Sequence, residues 1–67
     1  MSYEVIRATE IVVQNIDEKV KQLQEVIGRG DAKNFEEYRE LCGEIKGLLT
    51  ARSYITDLTK NMEKLDE

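Results

Sequence analysis

The chain has no histidine, no proline and no tryptophan, and only one cysteine, Cys42, among its 67 residues. Each absence removes a class of protein. Without histidine, neither a Ser-His nor a Cys-His nucleophile system can be assembled, and an ordinary Cys/His zinc site has no ligands. A single cysteine cannot close an internal disulfide. No P-loop and no dinucleotide fingerprint occurs in the sequence. No catalytic, cofactor-binding or metal-binding residues are therefore expected, and the chain reads as a non-enzyme. Cys42 reads as a small apolar side chain rather than a reactive thiol, with only Arg39 and Lys46 as nearby cations in sequence.

Aromatic residues are also sparse. Tyr3, Phe35, Tyr38 and Tyr54 are too few, and too poorly supplied with basic neighbours, to make a base-stacking platform. They read as core or interface anchors. No apolar run reaches the 18 or so residues of a membrane span. The first residues show no basic patch leading into an apolar signal core, so a cytoplasmic chain is expected.

One-signed charge is missing as well. Ten basic residues are interleaved with fourteen acidic ones, for a net charge of −4. Nucleic-acid backbones are bound by concentrated positive surface, which this mixture does not provide. Mimicry of DNA would need a dense acidic array, and only the closing "EKLDE" approaches one.

A chain this short buries only about 60% of the surface that its unfolded form exposes. Small domains usually add a disulfide, a metal or a partner chain to offset the entropy of ordering. Disulfide and zinc are already excluded, which leaves very regular helix packing or self-association.

The absence of proline permits two long helices. Ile6, Thr9, Val13, Ile16, Val20, Leu23 and Ile27 recur in steps of three and four, the seam of a heptad repeat. Val5, Val12 and Val26 widen that stripe, and Ile11 points away from it. Gly28 and Gly30 supply a helix stop. Asp31 and Asn34 are both candidate caps for the next helix, Asn34 having Glu37 at capping-box spacing. The expected domain is thus a single helical hairpin over residues 1–67. Helix 1 spans about 3–27, the turn 28–33 and helix 2 about 34–65, so that helix 2 overhangs its partner.

Within the turn lies Arg29-Gly30-Asp31, a tripeptide known as an adhesion signal. A three-residue string is weak, and each residue has a local duty. Arg29 is a favourable cation at a helix C-terminus, Gly30 the reversal and Asp31 a candidate cap.

Helix 2 carries apolar residues on two sides. At 100° per residue Tyr38, Leu41, Ile45, Leu48, Ile55, Thr59 and Met62 gather on the side expected to face helix 1. Arg52 in their midst reads as a snorkelling stem or as an ion pair with a carboxylate of the neighbouring helix. Gly43, Gly47, Ala51, Tyr54, Leu58 and Leu65 form the second side. Two mid-helix glycines cost about 1 kcal/mol each against alanine. Close helix packing, inside the hairpin or between chains, would account for them, and so would tolerated flexibility of the helix. Gly43, Gly47, Ala51, Tyr54 and Leu58 are the candidate interface, with Tyr54 its principal contact.

The second half follows the pattern F-x-E-Y-R-x-L-C-G-x-I-x-G-L over Phe35–Leu48 and A-x-x-Y-I-x-D-L over Ala51–Leu58, then an acidic end. In this it resembles short helical accessory proteins of T7-like and marine tailed phages. The resemblance implies a phage-encoded accessory or virion protein and carries no catalytic signature. The expected architecture is all-α, a two-helix antiparallel hairpin that oligomerises into a helical bundle, most simply a homodimer of four helices or else a larger ring. Two roles follow as expectations. One is a noncatalytic structural or assembly protein attached to another virion component. The other is a small regulator that binds and inhibits or redirects a host protein. Either would act in the host cytoplasm, and the first would also enter the virion.

Overall fold

The computed structural model describes residues 3–65, without the side chain of Leu65; the acidic end at Asp66 and Glu67 lies outside the described residues. Two helices make up the fold, α1 (Tyr3–Gly28) and α2 (Phe35–Leu65), packed antiparallel as a hairpin. At about 1.5 Å per residue they are about 39 Å and about 46 Å long. The backbone spans 50 × 15 × 12 Å, the shape of a two-helix rod.

The heptad seam is the contact. Val20 and Leu23 are 7% and 6% exposed, and they are the buried core among the described residues. Ile6, Thr9, Val13, Ile16 and Ile27 are half-buried around them, facing Leu41, Ile45, Leu48, Ile55, Thr59 and Met62 of α2. The threonines on the seam satisfy their own hydroxyls. Thr9 Oγ1 donates to the Ile6 carbonyl at 2.8 Å, and Thr59 Oγ1 to that of Ile55 at 2.9 Å. Both can therefore sit beside the core without an unpaired polar atom.

Among the described residues, one ion pair joins the two helices. Arg52 Nε donates to Asp17 Oδ1 at 2.7 Å and Nη2 to Oδ2 at 3.4 Å. Of the two sequence readings of Arg52, the fold adopts the ion pair. Its side chains are 40% and 49% exposed, so solvent screens the pair. A double-mutant cycle of Asp17→Ala and Arg52→Ala is expected to give a coupling of about 0.5–1 kcal/mol. That coupling should shrink in molar salt when read from urea midpoints; one independent of salt would contradict this geometry.

The turn answers the capping question. Gly30 has φ 75, the left-handed conformation that costs other residues dear. Around it the Gly30 N–H bonds the Ile27 carbonyl at 3.0 Å, and the Asp31 N–H reaches back to the Val26 carbonyl at 3.1 Å. This paired arrangement is a Schellman closure, with Gly30 in the left-handed position and Gly28 still helical. Asn34 is the cap of α2, its Oδ1 accepting the Glu37 N–H at 2.8 Å. Glu37 in return accepts the Lys33 N–H at 3.3 Å. Asp31 is engaged elsewhere, since its Oδ2 accepts from Arg29 Nε at 2.8 Å. Arg29 and Asp31 of the adhesion-like tripeptide thus pair with each other across the reversal. Gly30→Ala is expected to lower stability by about 1–2 kcal/mol. Thermal melting followed by circular dichroism measures this; an unchanged midpoint would mean the turn had rearranged.

The overhang of α2 falls at the turn. Counting about eleven residues along each helix from the Asp17–Arg52 pair brings Gly28 level with Leu41. The first turns of α2 therefore project past the end of α1. Tyr38, expected on the inward side, is exposed for this reason. Its ring instead stacks on Phe35, with centroids 6.3 Å apart and planes at 26°.

Candidate protein-protein interface

Two buried side chains leave most of the apolar inventory of this rod at its surface. On α2 that inventory is spread around the helix, because one antiparallel neighbour can cover only one side. The second side of α2 stands in the open. Gly43 and Gly47 are exposed and Ala51 is half-buried. Tyr54 is 71% exposed and Leu58 55%. A Cβ added at Gly43 or Gly47 would meet nothing within 4 Å. This corrects one part of the sequence expectation: the glycines are not needed for close packing inside the hairpin.

The fold joins to these residues a set that sequence spacing had assigned only to the first helix. Ala8, Thr9 and Val12 of α1 line one shallow groove with Ile55 and Leu58 of α2. Val12 and Leu58 are both exposed. Near the free end of the rod Val12 of α1 and Leu58 of α2 thus share one apolar groove. Lys19 lies along the same margin of α1 by helical spacing, and Glu40 along that of α2.

A second exposed strip was missed in the sequence. Phe35 is 70% exposed, and Tyr38 and Leu49 are also exposed. Leu49 lines a shallow groove with Cys42, Ile45, Lys46, Thr50, Ser53 and Tyr54. The signal was present, since Phe35, Tyr38, Cys42 and Leu49 share one flank at 100° per residue. It was obscured because Tyr38 was assigned inward. Cys42 is half-buried rather than sealed in a core. The Cys42 side chain, one turn away from Tyr38, raises the pKa of the tyrosine above the ordinary phenol value. A thiolate nearby would oppose formation of the phenolate further. A group raised in this way adds stability below its ordinary pKa and loses it as pH rises through the folded value. Cys42→Ala is expected to lower the titration midpoint of one tyrosine, read from phenolate absorbance against pH.

The end of the rod near the turn is acidic. Glu36, Glu37, Glu40 and Glu44 line a groove there with Asn34 and Leu41. These carboxylates lie along a solvated helix surface, and among the described residues no group of acidic and cysteine side chains is arranged to hold a metal ion. No helix of the described chain is long and apolar enough to cross a membrane.

Comparison with protein-family models, curated proteins and solved structures finds no match. What the molecule offers is therefore its surface: two apolar strips, one across both helices and one on α2 alone.

Proposed function

We propose that the chain is a noncatalytic structural or assembly component of a tailed-phage particle, acting through helix-to-helix protein contacts. The supporting observation is the exposure of large apolar side chains on α2, with Phe35 and Tyr54 each about 70% in solvent. Aromatic side chains of this kind anchor interfaces, because they bury much area while fixing few torsions. The phage setting rests on the resemblance carried by Phe35–Leu48 and Ala51–Leu58. In this setting the protein is made in the host cytoplasm and carried into the virion. The strip of Phe35, Tyr38 and Leu49 is the surface offered to another virion protein.

Purified particles test the proposal. The chain should copurify with them, or bind a capsid, portal or tail protein in isolation. Absence from particles together with no such binding would defeat it. Recovery of one stoichiometric host protein from infected-cell lysate, with particles free of the chain, would point instead to a regulator of that host protein.

A further inference from the structure

We infer that the hairpin parts as a fork: its two arms, 6–16 of α1 and 53–62 of α2, open together up to the Asp17–Arg52 pair, while the half next to the turn stays closed. This is a property of the fold itself and stands independently of the assembly reading.

The seam is uneven along its length. Val20 and Leu23, the buried pair, lie between the ion pair and the turn, level with Ile45 and Leu48 of α2 in the register that Asp17–Arg52 sets. On the other side of the ion pair, toward the termini, no side chain among the described residues is buried. Every seam position from Ile6 to Ile16 and from Ile55 to Met62 is only half-buried. Apolar area removed from water holds two helices together in proportion to its amount, so the turn half carries the greater share of the contact.

The polar groups of the arms bind nothing across the seam. Thr9, Thr56 and Thr59 line one groove between the helices. Each hydroxyl donates along its own helix, to the carbonyls of Ile6, Ser53 and Ile55 at 2.8, 3.0 and 2.9 Å. Parting the arms breaks none of these bonds, whereas a hydroxyl bonded across the seam would have to give one up. Glu10 and Lys60 line the same groove from opposite helices, yet Glu10 pairs with Arg7 of its own helix at 3.4 Å. Asp17–Arg52 sits where the loosely packed arms meet the buried pair, and it marks the end of the fork. Such a gradient opens in cooperative units rather than all at once. Arms of about a dozen residues are marginal helices in water without a partner, so opening loses helix as well as contact. It uncovers Ile6, Val13, Ile16 and Ile55, which the closed rod keeps half out of water.

Native-state hydrogen exchange of the purified full chain, read residue by residue by nuclear magnetic resonance, tests the fork. Amides of Val13, Ile16, Ile55 and Thr59 should share one protection factor. It should lie at least about ten-fold below that of Leu23, Val26, Ile45 and Leu48. Thr9→Val combined with Thr59→Val, which sets a methyl in place of each hydroxyl on the seam, should raise protection of the arms by at least about three-fold. One protection factor throughout the rod would overturn the inference, because the hairpin would then open only as a whole. So would protection that rises smoothly from the termini past the Asp17–Arg52 pair with no step, which is ordinary end fraying. Arms whose protection the paired valines leave unchanged would overturn it as well.

Discussion

Leu23→Ala is expected to destabilise the protein by about 2–5 kcal/mol, the cost of removing a buried leucine side chain and leaving a cavity behind it. A chain of this length has a total stability of only roughly 3–10 kcal/mol at typical values per residue. One substitution should thus remove a large part of it. The reason is that Leu23, 6% exposed, and Val20 are the buried pair on which the helix contact closes. No other residue can take over, since the remaining seam positions are already half in water. Leu49→Ala, at an exposed position, should change stability by no more than about 0.5 kcal/mol. Urea unfolding at fixed protein concentration, followed by far-ultraviolet circular dichroism, separates the two. Equal midpoints would show that the core lies elsewhere.

Gly47→Leu should push two properties in opposite directions. Within one hairpin the new side chain enters open space, since a Cβ there meets nothing within 4 Å. Helix propensity alone then favours leucine by about 1 kcal/mol. If another helix packs against this row, the same leucine overpacks the contact, at a cost of about 1–3 kcal/mol. The expected result is a dilute chain at least as helical as wild type, with markedly weaker association. Circular dichroism across a dilution series, alongside sedimentation, reads both quantities. Gain of helicity with association unchanged would place Gly47 in solvent in the assembled state.

The candidate site was legible to different degrees along α2. Gly43, Gly47, Ala51, Tyr54 and Leu58 share a side by period alone, because one helix fixes which of its own residues lie together. Val12 could not be added to them from sequence. Which margin of α1 lies beside which margin of α2 depends on how the two helices are rotated against each other. Tyr38 was misplaced for a related reason. Its period is that of the inward side, yet α1 ends at Gly28 and does not extend far enough to cover it. The second exposed strip, through Phe35 and Leu49, stayed hidden behind that misplacement.

Sequence by itself determined the elements. Seven heptad positions from Ile6 to Ile27, the lack of proline and the two glycines at the turn suffice for two helices and a reversal, because these are local choices of backbone conformation and apolar spacing. Tertiary structure alone decided the partners. It chose Asn34 over Asp31 as the cap, since Asp31 is taken by Arg29 across the turn. It joined Arg52 to Asp17, residues 35 apart along the chain. It also left the glycine row uncovered by α1. The ion pair and the uncovered row depend on the axial and rotational register of two helices, which no single helix encodes and only their packing fixes; the cap depends on how the turn between them folds.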